Sequence, residues 1–206
     1  MPQVLKADVR DRITGAALQC FADQGYPGTS VAAIAAAAET APGNVYRYFA
    51  SKQALFDAVV PSSLARRHDE LLDTRVAALA ESSAEPSPAA VDLLGFWLDH
   101  RLEVVVLLDR AAGTPFADYP DAFVQRLVAH AERMLPGPPS QVQRQVLQLV
   151  FDGTRRTLSR ILATAHDRDH ARDLVAAFWS YQLPGLDGLM AHLGAVEAVG
   201  SSIGRP

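Results

Sequence analysis

Asn44, Tyr46, Arg47 and Tyr48 stand almost shoulder to shoulder, and their side chains share one capability, hydrogen bonding to nucleic acid. An asparagine amide pairs with a base edge or a phosphate. Tyrosine hydroxyls reach phosphate oxygens on rigid stems, and an arginine reaches a guanine edge or the backbone. Gly43, just before them, removes a side chain where the start of a helix would otherwise stand off from a duplex. Pro42 suits the first position of a helix, where its missing N–H would have been unpaired anyway. Thr29 and Ser30 offer hydroxyls and a helix N-terminus, a ready anion site, on one flank of this group. Lys52 offers an ammonium on the other. A tyrosine-rich stretch such as Val45–Phe49 is ordinarily core, so the elements around it decide.

Val9, Ile13, Ala16, Ala17, Cys20 and Phe21 recur at helical spacing and predict a first helix over about 6–24. Gly25 is placed to end it as a left-handed residue. Pro27 and Gly28 force a turn, and Thr29 or Ser30 caps a short helix over about 31–38, whose alanines allow a close neighbour. A third helix starts at Pro42, with Val45 and Phe49 inward and Asn44, Tyr46, Arg47 and Tyr48 on or near the outer side. Ser51 caps a fourth, with Leu55, Phe56 and Val59 as its stripe, and Pro61 predicts a kink or restart. Two short helices at a sharp turn behind a longer support match the plan of a DNA-binding helix-turn-helix over about 29–48.

The order and spacing of Phe21-Ala-Asp-Gln-Gly25-Tyr26, Thr29-Ser30-Val31, Ile34-Ala35, Gly43-Asn44-Val45-Tyr46-Arg47-Tyr48-Phe49, Ser51-Lys52 and Leu55-Phe56 resemble the N-terminal domain of the tetracycline-repressor (TetR) family. The resemblance covers about residues 6–60. It implies DNA contacts from Thr29, Ser30, Gly43, Asn44, Tyr46, Arg47, Tyr48 and Lys52, with Pro42 at the head of the reading helix. It implies a helical ligand-binding and dimerisation domain behind them, similar in layout only. The chain departs from the family pattern in the turn: Glu39 stands where glycine is usual, Thr40 where an apolar residue is usual, and Ala41 where serine is usual. Pro42 replaces a commonly basic residue. If the turn needs a positive φ at Glu39, a strain on the order of 1 kcal/mol follows.

Beyond Pro61 every periodic segment is helical, and none alternates as a strand would. An apolar pattern runs to Leu79 and ends in a Ser/Pro-rich break over 81–88. A helix apolar on two faces is predicted over about 89–112, ended by Gly113 and Pro115, and another from Tyr119 to Leu135. Ser140 with Gln143 forms a capping-box pair that opens the first of two long closing helices, about 140–165 and 168–193. Pro184–Gly185 predicts a disruption in the second, and the tail beyond Gly194 reads as fraying. The architecture is therefore all-α, divided as a helix-turn-helix domain over 1–51, a ligand-binding and dimerisation domain over 52–195 and a flexible tail over 196–206.

At 206 residues with 49% hydrophobic residues the chain can bury a real core. No stretch approaches the run of about eighteen apolar residues that a bilayer span requires. The first residues lack the apolar stretch of a secretory signal, and the single cysteine, Cys20, lies on a buried stripe, so neither a disulfide nor a cysteine cluster is expected. These features read as cytoplasmic. The net charge is −4, although Lys/Arg slightly outnumber Asp/Glu over residues 1–66. His166 and His170, with Asp167 and Asp169 between, have the spacing of a helical metal pair, but they fall at an inter-helix turn where aspartate caps and solvated histidines are routine. We expect no metal and no cofactor.

Trp97 and Arg101 are candidates for an apolar cavity with a few polar groups, with Leu94, Leu98, Phe116 and Phe151 as further lining; the alternative is that His100 and Arg101 are a pair satisfied by Asp99, Glu103 or a neighbouring helix. No catalytic motif is present, and an enzyme is not expected. The expected partners are double-stranded operator DNA, a largely apolar small-molecule effector and a second copy of the chain, with no membrane. The reading is a ligand-responsive regulator, most simply a repressor. Its rivals are a DNA-binding protein without a sensor and an all-helical metal-dependent enzyme.

Overall fold

A computed structural model describes the backbone of residues 2–78 and 87–203, and the side-chain surroundings of residues 7–78 and 87–195. Most of the expected Ser/Pro-rich break lies outside the described residues, as do residues 204–206. All regular elements among those described are helical. They are α1 (Pro2–Gly28), α2 (Val31–Ala37), α3 (Pro42–Tyr48), α4 (Lys52–Val59), α5 (Ser62–Ala77), α6 (Pro88–Asp99), α7 (Arg101–Val105) with a π-helical continuation Val106–Arg110, α8 (Tyr119–Met134), α9 (Gln141–Thr164) and α10 (Arg168–Ile203).

The chain packs as two units, Met1–Pro120 and Asp121–Pro206. The division anticipated after residue 51 is not where packing separates the chain, because α1 lies against α4 and also against α7 with its π-helical continuation. Ile13, Ala17 and Phe21 of α1 are fully buried, as are Leu55 and Phe56 of α4 and Val104 through Leu108. Burying each such large apolar side chain contributes about 1.5–3 kcal/mol. Phe21, Tyr26 and Phe56 close an aromatic triangle, with ring centroids 5.2–5.7 Å apart. Cys20 is buried on the same stripe, and burial, then the charge of Asp23, push its thiol pKa up.

Gly25 breaks α1 at φ 73°, ψ 163°. That is the extended positive-φ region, essentially reserved for glycine, rather than the left-handed helical conformation anticipated. Pro61 does restart the chain: α4 ends at Val59, and Pro61 sits at φ −70°, ψ 152° as the cap of α5. The helix expected over 89–112 is interrupted instead at His100 (φ −119°, ψ 39°), then widens to a π turn.

In the second unit, α9 opens on the anticipated capping box: Ser140 Oγ accepts from the Gln143 N–H at 3.3 Å, and Gln143 Oε1 from the Ser140 N–H at 2.6 Å. The α9 and α10 helices run antiparallel, tied by Gln143 Nε2 to Leu193 O (2.9 Å) and Gln182 Nε2 to Thr154 Oγ1 (2.9 Å). These ties lie on either side of Pro184 and explain why α10 passes through it without the expected disruption. The helix also continues past Gly194 to Ile203, where fraying was expected.

Asp152 of α9 accepts from Arg155 Nη2 at 2.7 Å and lies 2.8 Å from Arg156 Nε. Burial works to raise its pKa, but the hydrogen bonds and charges of the two guanidinium groups outweigh it and hold the carboxyl below the usual range. Arg155 is only 6% exposed, so Asp152→Asn is expected to destabilise by about 1–3 kcal/mol at pH 7. A depressed folded pKa gives stability that is present above the unfolded value of about 3.9 and lost as pH falls through the folded one. Denaturant melts should therefore show the two proteins converging in stability on acidification below about pH 4.

Candidate nucleic-acid interface

The turn between α2 and α3 positions α3. The Ser30 hydroxyl caps α2 by accepting from the Ala33 N–H at 3.0 Å. At the other end Thr40 N–H bonds Ala35 O (2.9 Å) and Glu39 N–H bonds Ala36 O (3.1 Å), the paired bonds of a Schellman motif. That motif needs a left-handed residue at its centre, and Glu39 supplies it at φ 51°. Ile34, Ala35 and Ala38 are buried, and their small or flat surfaces admit Val45 (1% exposed) and Phe49 from α3.

Pro42 then starts α3 behind Ala41, which contributes no side-chain cap. The outer side of α3 carries Gly43, Tyr46 and Arg47 in the open, with Asn44 and Tyr48 half-buried at its edges. Tyr46 is 56% exposed, unusual for a tyrosine beside a packed core. A Cβ on Gly43 would meet nothing within 4 Å, and its φ is not positive. The fold therefore does not require glycine there, whereas close approach to another molecule would. Asn44 Nδ2 donates to Thr40 Oγ1 at 2.9 Å, which fixes the amide. Arg47, in the last turn, enters no ion pair among the described residues.

Two residues expected at this surface have other partners. Thr29 is 2% exposed, and its hydroxyl donates to Cys20 O (3.0 Å) and Gly25 O (2.8 Å). Thr29 thereby stitches the end of α1. The ammonium of Lys52 donates to Tyr26 O (2.8 Å) and Thr29 O (2.9 Å) and sits 4.1 Å above the Tyr26 ring. Sequence alone gives a solvated lysine no such partners, because the carbonyls come from residues more than twenty positions away.

Taken together, the arrangement is a short helix held at a sharp angle by its neighbours, with an uncharged outer face apart from Arg47. Residues 13–59 match the family model for bacterial regulatory proteins of the tetR family. That segment is similar to the TetR family's N-terminal domain. The chain is 28% identical over 182 residues to the HTH-type transcriptional repressor AcnR of Corynebacterium diphtheriae, spanning 82% of this chain and 90% of that one. Against AcnR of Corynebacterium efficiens it is 29% identical over 152 residues, 70% and 78% of the two chains. A solved structure of a TetR-like transcriptional regulator from Rhodococcus sp. RHA1 superposes with a TM-score of 0.48 at 26% identity, over 87% of this chain and 96% of that one. These similarities support a DNA-binding transcription regulator, and no described helix is long and apolar enough to cross a membrane.

Trp97 is 4% exposed, and its indole N–H donates to His68 Nε2 at 2.8 Å. His68 Nδ1 lies 2.7 Å from Tyr119 Oη, which donates to Asp69 Oδ1 at 2.7 Å. Leu94, Leu98, Arg101 and Phe116 are half-buried around this part of the first unit, while Phe151 belongs to the second. The two best-formed hollows, of about 550 and 390 Å³, lie along α8–α9 and α9–α10, and none of the six expected residues lines them. The buried chain through His68 went unread in the sequence, although His68 falls on the apolar stripe of α5, between Ala65 and Leu72.

At the α9–α10 turn, Asp167 Oδ1 accepts from the His170 N–H at 2.7 Å, the geometry of a helix cap. That hydrogen bond is the main cause holding its carboxyl below the usual range. His170 Nδ1 accepts from the His166 N–H at 3.4 Å. Among the described residues no group of three or more His, Cys, Asp or Glu side chains is placed to hold a metal.

The left-handed Glu39 gives a sharp expectation. Glu39→Gly should stabilise by up to about 1 kcal/mol, by removing the steric cost of that conformation. It should also tighten DNA binding by removing a negative charge beside phosphates. Glu39→Gln keeps the conformational cost and should improve only the binding, most at low salt. Thermal melts and salt-dependent titrations of both variants separate the two contributions.

Proposed function

We propose that this protein represses transcription as a homodimer that places α3 of each subunit in successive major grooves of a near-palindromic operator, and that a small molecule releases it. The observation that carries the reading is the outer side of α3, where Gly43, Tyr46 and Arg47 are exposed while Val45 and Phe49 are buried. One such helix reads too few base pairs to single out a genomic site; two, held about 34–36 Å apart, read a palindrome. Support for self-association comes from α9 and α10, whose exposed Val142, Leu149, Tyr181 and Leu183 are large apolar residues that a four-helix interface would cover. Both AcnR relatives are transcriptional repressors.

For release, the effector must bind two states with different affinity. Because Trp97 is buried and hydrogen-bonded to His68, an effector that contacts it must repack that part of the first unit. The break at His100 and the π turn after it are irregular backbone of the kind that accommodates such repacking. The burial of Trp97 in a hydrogen-bonded chain also favours a second reading, a regulator with no small-molecule sensor.

The test is selection of binding sites from random-sequence DNA by the purified protein, followed by calorimetry on the selected site with compound libraries. An inverted repeat bound two subunits at a time is expected. Failure to enrich any sequence sinks the regulator reading, and an operator affinity that no compound alters favours the sensorless one.

A further inference from the structure

The ammonium of Lys52 lies where three features of the first unit meet: the last carbonyls of α1, the start of α2 and the first turn of α4. It donates to Tyr26 O at 2.8 Å and Thr29 O at 2.9 Å and rests 4.1 Å over the Tyr26 ring. The two carbonyls flank the corner Tyr26–Thr29, which follows the non-helical backbone at Gly25. Tyr26 O belongs to the last turn of α1, where a helix leaves carbonyls short of intrahelical donors and a cation is favoured. Thr29 is buried and immediately precedes Ser30, the cap of α2. The corner so held fixes where α2 begins, and α2 carries the Schellman turn that aims α3.

We infer that Lys52 is a positioning residue: it ties the first turn of α4 to the α1–α2 corner and so fixes the angle of the reading helix, rather than serving chiefly as a phosphate contact. The inference rests on the DNA-binding reading above. With two of its three N–H groups on carbonyls and its face on an aromatic ring, the ammonium is held by fixed partners before any DNA arrives. Its position at the head of α4 also means that a shift of α4 moves the corner with it.

The two roles differ in what salt does. A lysine that neutralises a phosphate adds about 0.9 to the slope of log K against log salt for each phosphate contacted. A positioning lysine lowers affinity when removed and leaves that slope alone. We expect Lys52→Met to bind the selected operator about tenfold more weakly with an unchanged slope. We also expect it to speed amide hydrogen exchange at Thr29 to Ile34 about tenfold in the free protein. A slope reduced by about 0.9 per subunit, with exchange unaltered, overturns the proposal.

A readout on the unsubstituted protein covers the case in which the variant fails to fold. The chain has two lysines, Lys6 and Lys52, so lysine-selective nitrogen labelling gives two ammonium signals, assigned through Lys6→Gln. Slow solvent exchange of the Lys52 ammonium in free protein supports the tie, and rapid exchange overturns it. If the wild type binds no DNA at any salt, the regulator reading fails, while the exchange measurements still decide whether Lys52 holds the corner.

Discussion

Replacing Arg47 by alanine lowers operator affinity about 10- to 100-fold and relaxes preference at the base pair it faces, while stability changes by less than about 1 kcal/mol. The asymmetry follows from where the side chain stands. Arg47 is exposed in the last turn of α3 and enters no ion pair among the described residues, so its contribution to folding is at most the favourable placement of a cation near a helix C-terminus, about 0.3–1 kcal/mol. On DNA the same guanidinium offers a bidentate fork to a guanine edge, worth about 1–3 kcal/mol of discrimination. Titrations of wild type and variant against the selected operator and single-base variants of it measure both effects. Equal losses on every base variant would assign Arg47 to the backbone instead.

The second large effect is on stability. His68→Leu should cost about 2–4 kcal/mol, because His68 is fully buried and is the hub of a polar chain. An indole N–H can only donate, so His68 Nε2 accepts from Trp97, and the ring is neutral with its proton on Nδ1. That proton goes to Tyr119 Oη, whose own hydrogen goes to Asp69. Each group has one consistent role, and the chain links α5, α6 and the first residue of α8. Leucine supplies comparable bulk but no acceptor and no donor, so the loss reports the polar chain rather than a cavity. In a double-mutant cycle with Trp97→Phe, the combined cost should fall below the sum of the single costs by about 1 kcal/mol or more. Strict additivity would show that the two residues are not coupled.

The reading head was legible because its signals are local. Ser30, Ser51 and the Ser140/Gln143 pair cap helices within three residues of themselves, and the stripes of α1 and α4 repeat at a period that needs no knowledge of the partner. Glu39 was flagged by its departure from glycine, and its positive φ follows from the Schellman bonds around it. What stayed hidden depends on residues far apart in the chain. Thr29 and Lys52 look like free polar groups until the end of α1 folds back to meet them. His68 and Trp97, 29 positions apart, make their bond only once α5 and α6 pack together. The uninterrupted α10 runs against the local signal of Pro184, since its ties to α9 on both sides outweigh one missing backbone hydrogen bond.

The account turns on the outer side of α3 entering a major groove, and dimethyl sulfate footprinting on the selected operator tests this most directly. The reagent methylates guanine N7 in the major groove and adenine N3 in the minor groove, so a single gel distinguishes the two. Bound protein should protect guanine N7 in two symmetric half-sites, and Arg47→Ala should restore reactivity at one guanine in each. Protection confined to adenine N3, or a pattern indifferent to Arg47, would contradict it.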